Sequence, residues 1–329
     1  RWSAVAGVNM GPLLWSGFAP YSSRGVSPTN PRTLPYGMAA IAEAAALIRA
    51  GECVAIPTET VYGLAADATD SRAVAGIYAA KGRPSFNPLI VHVPSLAAAE
   101  RIAVFDDRAR DLAMRFWPGP LTLVLPVRPD AGIASLVTAG LDTIAIRVPR
   151  HRAMQALLAA TGKPLAAPSA NASGGISPTR AEHVVRSLAG RIPLVIDDGA
   201  TSAGVESTIV MGERILRPGP LGAEDLGLAI AVPDGRITAP GQLDSHYAPS
   251  KPVRLNAAEA KDGEYLIGFG AIGGAETLSA GGDLTEAAAN LFDALHRADA
   301  SGARAIAVAP IPESGIGVAI NDRLRRAAH

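Results

Sequence analysis

The segment from Cys53 to His92 leaves the chain few ways to fold. Cys53-Val-Ala-Ile is a short apolar run with β-branched residues, the composition of a buried strand. Pro57 ends it, and Thr58-Glu59-Thr60-Val61-Tyr62-Gly63-Leu64 opens a hydroxyl-rich turn. Asp70 or Ser71 can cap a helix whose Val74, Ile77 and Tyr78 share one face. That helix has to stop before Pro84, because the residue preceding a proline disfavours α geometry. A second apolar run, Leu89-Ile-Val-His-Val, follows. Lys81 and Arg83 are therefore left at a helix C-terminus and in a stiff loop, with no acid between Arg72 and His92.

Two cations in a rigid loop beside a hydroxyl-rich strand end suit a polyanion such as a nucleotide triphosphate. Arginine offers a planar fork of donors and lysine a compact charge, and both serve phosphate oxygens. The alternative is that Lys81 and Arg83 only complement the helix dipole. An isolated Lys-Gly-Arg favours that alternative, so the matter turns on polar loops elsewhere in the chain.

Composition narrows the options. The chain has 329 residues, 48% hydrophobic and 18% charged, which supplies a core and suggests about two domains. Thirty basic and thirty acidic residues cancel, so no general pull toward nucleic acid or membrane is implied and a nucleotide site must be a local patch. Lysine occurs only at 81, 163, 251 and 261. The single Cys53 rules out an intrachain disulfide framework and a cysteine-rich zinc site, and suits a small buried hydrophobe. No run of about 18 apolar residues without charge exists, so no membrane span is expected. Residues 1–36 hold Arg1, Arg24 and Arg32 but no acid, and they are rich in Ser, Gly and Pro without periodicity. A transit peptide has that composition, and so has an upstream extension or a misplaced start, with Met10 and Met38 both ahead of the folded part; the latter pair is favoured, and the stretch is expected to be poorly ordered.

Helix and strand patterns then mix without strict alternation, which predicts an α/β domain with a twisted mixed sheet over 37–232. Helices are expected at Met38–Ala50, 71–80, Leu96–Ile102, Asp107–Phe116, Arg152–Ala160 and Thr179–Leu188, the last with Pro178 at its start. Strands are expected at 53–56, Leu89–Val93, Leu121–Leu125, Thr143–Val148, 165–167, Leu194–Ile196, Ser207–Val210 and Arg214–Arg217. A polar connector at 233–250 leads to a smaller, Rossmann-like α/β domain over 251–329. Its pieces are strands at 265–267 and 305–308, a helix from Leu284 to Arg297 with Asp283 and Glu286 as a capping pair, and a final helix at Asn321–Ala328.

Four later segments share the character of the opening loop. In Asp142-Thr143-Ile-Ala-Ile-Arg147, an even step puts Thr143 and Arg147 on one side of a strand. Pro168-Ser169-Ala-Asn-Ala-Ser-Gly-Gly-Ile-Ser177-Pro178 sets hydroxyls, an amide and glycines ahead of a helix start, where backbone N–H groups accept an anion. Glu206-Ser207-Thr208 enters a strand, and Arg217-Pro218-Gly219 leaves one. Each alone is an ordinary turn. Together they would build a pocket for phosphate and a small amino acid.

Taken in series, these motifs are similar to those of the YrdC-like L-threonylcarbamoyl-AMP synthases. The resemblance rests on Thr58-Glu-Thr-Val-Tyr-Gly-Leu, Lys81-Gly-Arg-Pro with Asn87-Pro-Leu, Pro168-Ser-Ala-Asn-Ala-Ser-Gly, Glu206-Ser-Thr and Leu216-Arg-Pro-Gly. His246-Tyr247 in the connector and Ala319-Ile-Asn-Asp-Arg-Leu-Arg near the end resemble the longer, two-domain form. The match spans about 40–329, and several long motifs in order are a specific signal.

What the resemblance implies is a nucleotidyltransferase. It would condense L-threonine, bicarbonate and ATP into threonylcarbamoyl-AMP and pyrophosphate, the first step of threonylcarbamoyl-adenosine formation in tRNA. By position, Thr60, His92, Arg147, Ala167 and Ser207 would line the threonine pocket. Lys81, Arg83, Asn87, Thr143, Ser169, Ser177, Arg217 and Tyr247 would contact ATP. Mg²⁺ would come with ATP rather than from a protein site, downstream threonylcarbamoyl-transferase proteins would take the product, tRNA would bind weakly if at all, and the location would be cytoplasmic. Neither the attack on bicarbonate nor the attack on the α-phosphorus needs an enzyme nucleophile, so positioning and charge neutralisation by Lys81 and Arg83 would carry the chemistry. Tyr247 would close over the nucleotide and make the connector a lid. His92 taken alone reads as structural, and only the resemblance makes it a pocket residue.

Rival readings are weaker. An RNA- or tRNA-binding module without chemistry needs an extended basic surface that a neutral, lysine-poor chain does not supply. Hydrogenase-maturation carbamoyl transferases contain a similar domain but carry cysteine-rich zinc fingers, which one cysteine excludes. Threonine and serine, differing by one methyl, are not separated by these residues. Gly268-Phe-Gly270-Ala-Ile-Gly273 fits a dinucleotide pattern, yet the next helix starts only near Asp283, so it reads as a loop.

Overall fold

Val54 and Ile56 face one side of their strand and Ala55 the other, and all three are shut off from solvent. A strand buried on both faces needs helices above and below. The computed structural model describes residues 30–84, 87–231 and 246–329 and supplies them. The elements run β1 (Arg32–Pro35), α1 (Met38–Arg49), β2 (Val54–Pro57), β3 (Tyr62–Asp67), α2 (Ser71–Lys81), β4 (Ile90–His92), α3 (Leu96–Glu100), α4 (Asp107–Phe116) and β5 (Leu121–Pro126). Then come α5 (Ser135–Thr138), β6 (Thr143–Arg147), α6 (Arg152–Thr161), β7 (Leu165–Ala166), α7 (Ala181–Leu188), β8 (Leu194–Asp197), β9 (Thr208–Met211), β10 (Arg214–Arg217), α8 (Ala223–Leu226) and β11 (Ala229–Ile230). Their strands form one mixed sheet in the order β1-β8-β2-β3-β7-β4-β6-β5-β9-β10-β11.

On one face, Val54, Ile56 and Ala65 pack with Ile41, Ala44 and Ile48 of α1 and Met154 and Leu157 of α6. The spacing of Ile41, Ala44, Ala45 and Ile48 makes one apolar stripe, and burying each isoleucine contributes about 1.5–3 kcal/mol. On the other face, Ala55, Tyr62 and Leu64 meet Val74 and Ile77 of α2, Leu112 of α4 and Val184 of α7. Asp70 caps α2 by accepting from the amides of Arg72 and Ala73, and Gly82 ends it in the left-handed region. Cys53 is buried beside the Ala73 carbonyl, and burial pushes its thiol up to about 12.

A second sheet follows, built of β12 (Val253–Arg254), β13 (Glu264–Gly268), β14 (Glu276–Thr277) and β15 (Ala305–Val308), in the order β12-β15-β13-β14. Every pair in it is parallel, as a Rossmann-like unit requires. The helices α9 (Leu284–Ala300) and α10 (Gly317–Ala327) accompany it. The Gly268–Gly273 stretch is a tight turn from β13 toward β14. A Cβ on Gly268 would meet the Ile272 carbonyl at 2.2 Å, which accounts for the glycine without a nucleotide.

Several expectations need correction. Of the stretch 1–36, expected to be poorly ordered, residues 30–36 are described, and Arg32–Pro35 is a strand parallel to β8; residues 1–29 lie outside the described residues. The hydroxyl-rich turn after Pro57 leads into an unexpected strand: the chain reverses and β3 runs antiparallel to β2, with Ile56 opposite Gly63. Helix α7 begins at Ala181 rather than Thr179, since the carbonyls of Pro178 and Thr179 accept from the amides of Tyr62 and Thr201 and hold that segment extended. Helix α10 begins at Gly317, ahead of the expected Asn321. Asp283 caps α9 as expected, but Glu286 accepts from the Ser279 hydroxyl instead of closing a capping box. Of the connector 233–250, residues 246–250 are described and 233–245 are not.

Candidate active site

The strand ends at the middle of the large sheet enclose a narrow, half-open cavity. Thr58, Thr60 and Val61 enter from the β2–β3 turn, Arg83 from the loop after α2, and Ile90 and His92 from β4. Arg147 comes from β6, Ala167 and Ser169 from the loop after β7, Glu206 and Ser207 from the approach to β9, and Arg217 from β10. His246 and Tyr247 close the ring. Ile90, Val124, Ala145 and Ile209 form a small apolar cluster beneath it.

Each polar wall follows from local rules. The Thr58 hydroxyl accepts from the amides of Thr60 (3.2 Å) and Val61 (3.3 Å) and donates to the Val61 carbonyl (2.7 Å), which fixes the reversal. Parallel pairing puts His92 opposite Arg147. The Arg147 guanidinium is held on three sides: Nη1 donates to the Thr60 hydroxyl at 2.8 Å, Nε to the Gly119 carbonyl at 3.1 Å, and Nη2 lies 2.7 Å from Oε1 of Glu59, an ion-pair contact that leaves Nη2 without a hydrogen-bond partner among the described residues. Burial alone would raise the Glu59 carboxyl; Arg147 overcomes that and holds it below the usual carboxylate range. Burial, reinforced by Arg147, pushes His92 down to about 3, so it is neutral.

The opposite wall is cationic. Lys81 is buried, and its Nζ donates to the carbonyls of Ser169 and Asn171, each at 2.5 Å. Burial, with Arg83 and Arg191 nearby, pushes this ammonium well below the ordinary lysine range. Arg83 donates to the Asn87 and Pro88 carbonyls, and burial lowers it to about 10. Arg217 donates from Nη2 to the Ser207 carbonyl (2.9 Å) and hydroxyl (3.2 Å), and it too is lowered by burial. A Cβ on Gly219 would lie 2.4 Å from the Thr208 amide and 2.7 Å from the Glu206 carbonyl, so only glycine lets the Arg217 strand end approach the Glu206–Thr208 segment.

Tyr247 is buried with φ 64°, a left-handed backbone that a tyrosine adopts at a cost of about 1–3 kcal/mol. Burial pushes its phenol up to about 12. His246 packs edge-on to it at 4.0 Å, and burial beside Lys81, Arg83 and Arg217 lowers the imidazole to about 3. The Tyr247 hydroxyl, Nδ1 of His92 and of His246, and both side-chain polar atoms of Asn87 are buried without a hydrogen-bond partner among the described residues. Orphaned polar atoms beside clustered cations mark a place for a polar, anionic ligand.

Of the expected site residues, Thr60, His92, Arg147, Ala167, Ser207, Arg83, Ser169, Arg217 and Tyr247 line this one cavity. Four do not. Lys81 lies behind Ser169, Asn87 lies behind Arg83 through its carbonyl, and the Ser177 hydroxyl donates to Glu206. Thr143 shares the strand face of Arg147 but sits at the far end of β6, opposite Pro126. Glu59 was missed as the partner of Arg147, although an acid inside a hydroxyl-rich turn was a visible signal. His246 and Glu206 stood in the motifs but were given no role.

Comparison with known proteins agrees along the chain. The family model for Sua5, YciO and YrdC proteins, described as "Telomere recombination", matches residues 46–219. One described as "Threonylcarbamoyl-AMP synthase, C-terminal domain" matches residues 213–329. Threonylcarbamoyl-AMP synthase from Bacillus subtilis (strain 168) is 41% identical over 88% of this chain and 92% of its own length. The synthase from Pyrococcus abyssi is 41% identical over 87% of this chain and 93% of its own. The crystal structure of P. abyssi Sua5 complexed with L-threonine superposes with a TM-score of 0.82 at 38% identity, covering 90% of this chain and 96% of that one.

Proposed function

The chain belongs to the threonylcarbamoyl-AMP synthase family, and from that premise we propose that it condenses L-threonine, bicarbonate and ATP into L-threonylcarbamoyl-AMP, releasing pyrophosphate. It is an enzyme of the nucleotidyltransferase type. The observation that carries the reading is convergence: Arg83, Arg147, Ser169, Ser207 and Arg217, drawn from five separate segments, share one cavity. The threonine complex of the P. abyssi relative supports small-molecule chemistry over an RNA-binding module.

In this reading Arg147 and Thr60 take the threonine carboxylate and hydroxyl, with His92, Ala167 and Ser207 around them. Neutral His92 adds no charge near the amine. The neutral amine attacks bicarbonate, the C–O bond to hydroxyl breaks and one water leaves with the amine's proton, and the resulting carbamate oxygen attacks the α-phosphorus as pyrophosphate departs. Arg83 and Arg217, backed by Lys81, hold the triphosphate, whose charge offsets the cost of burying them. Ser169 meets the nucleotide directly, Ser177 acts through Glu206 and Asn87 through Arg83, Thr143 stays outside the cavity, and Tyr247 covers the site. The carboxylate on the cavity wall, Glu206, is engaged by Arg323, and Glu59 beside it by Arg147, so the donor set suits Mg²⁺ carried in on the triphosphate as part of the substrate.

The same reading takes 37–232 as the catalytic unit, 233–250 as linker and lid, and 251–329 as the small C-terminal unit. It places the enzyme in the cytoplasm; no helix among the described residues is long and apolar enough to cross a membrane. The product passes to threonylcarbamoyl-transferase proteins that modify tRNA, which this chain itself binds weakly if at all. The test is pyrophosphate release from the purified chain with ATP, bicarbonate and each amino acid in turn. Release that depends on threonine and bicarbonate is expected. Release with neither would make the chain a plain ATPase, and a salt-sensitive tRNA shift without ATP consumption would favour the binding module.

A further inference from the structure

Arg323 is the largest of the fully buried side chains, and it belongs to the last helix of the second unit, far in sequence from every cavity motif. Its guanidinium reaches three segments of the cavity wall. Nε donates to Oε2 of Glu206 at 3.0 Å and Nη1 to the Pro218 carbonyl at 2.6 Å, next to Arg217. Its Cζ stands 5.5 Å from the centre of the Tyr247 ring. Asp322, beside it in α10, accepts from Nη1 at 3.0 Å. The other carboxylate oxygen of Glu206 accepts from Ser177, so Arg323 is the cation that answers this acid.

We propose that Arg323 is a positioning residue through which the C-terminal unit completes the nucleotide side of the cavity. The inference rests on the synthase reading and deepens it. Glu206 lines the cavity among groups assigned to phosphate, where an unanswered carboxylate would repel the triphosphate. Arg323 neutralises that charge, fixes the turn that aims Arg217, and supports the Tyr247 ring from behind. Among the described residues, no hydrogen bond or ion pair joins it to Arg147, Glu59 or Thr60. Its effect is therefore expected to fall chiefly on ATP, with Ser207, which Arg217 holds, the one route to the threonine side. A guanidinium is needed because one planar fork serves Glu206 and Pro218 together.

The experiment measures KM for ATP and for threonine by pyrophosphate release, and ATP affinity by calorimetry, in the full chain and three variants. Arg323→Ala is expected to raise the ATP KM and the ATP dissociation constant by about tenfold or more, as when one partner of a buried ion pair is removed, with the threonine KM nearly unchanged. Arg323→Lys falls between. Adding Glu206→Gln to Arg323→Ala restores part of the ATP affinity by removing the unanswered charge. Equal rises in both KM values, unchanged ATP affinity, or no recovery in the double variant would each overturn the proposal. Absence of threonine-dependent release in the unaltered chain would overturn the synthase reading instead, and the calorimetric comparison would still judge Arg323.

Discussion

The two walls of the cavity solve opposite electrostatic problems. On one, Arg147 has a carboxylate at 2.7 Å and a hydroxyl at 2.8 Å, so its charge is answered before any ligand arrives. On the other, Lys81 and Arg83 are buried on backbone carbonyls, with no carboxylate in ion-pair range among the described residues, and burial drives both toward losing their protons. A charge-paired arginine whose Nη2 still lacks a hydrogen bond discriminates by geometry, since a ligand must match a fork already set. Unsatisfied cations attract by charge, since almost any polyphosphate relieves them. The difference assigns selection of the amino acid to the first wall and capture of the nucleotide to the second.

The largest effect should come from the unanswered wall. Arg83→Ala is expected to lower kcat/KM for ATP by about 10²–10³, the scale of losing one preorganised donor to developing charge. The ATP-induced rise in melting temperature should shrink with it, while threonine still binds. An unchanged ATP response would erase the contrast. A smaller effect belongs to the answered wall. Arg147→Lys keeps the charge but gives up the fork, so KM for threonine should rise about tenfold with the ATP KM steady. If steady-state kinetics showed both constants moving together, the walls would not be separate devices.

The effect that separates the two walls least is on acid stability. His92, on the first wall, His246, on the second, and His296, in α9, are each lowered to about 3 by burial. Unfolded histidines take protons near pH 6.5, so between there and about pH 3 the unfolded chain binds more protons than the folded one. The stability held above that window is lost as pH falls through it, at up to about 1.4 kcal/mol per pH unit for each histidine. Melting temperatures from pH 7.5 to pH 5 should therefore fall, and His92→Gln should flatten the fall. Glu59 adds its own loss only below the usual carboxylate range, because its folded value is depressed. A flat profile above pH 5 would contradict the burial of these rings.

How much of this was readable in the sequence depended on distance along the chain. Strands such as Leu121–Pro126 and Thr143–Arg147 stood out because apolar, β-branched runs declare themselves locally. The strand Tyr62–Asp67 did not, because Gly63, Ala65 and Ala66 have little strand preference and are held there by pairing on both sides. The cavity's cations were visible as motifs, since a lysine and an arginine in a proline-stiffened loop need no partner to be noticed. Their counter-ions were not visible. Glu59 meets Arg147, and Glu206 meets Arg323 across 117 positions, and nothing local to either residue names its mate. Resemblance supplied the site residues, but only the fold separated those that line the cavity from Lys81 and Ser177, which act from behind them.

Gly219 has a further consequence. The missing side chain lets two stretches of backbone touch where Arg217 and Ser207 are presented, and even a methyl group would collide with the main chain. That seam sets the width of the opening independently of the groups displayed along it. Variants of this chain can exchange those groups and alter what is recognised, but making room for a bulkier guest at that point would require both strands to move apart.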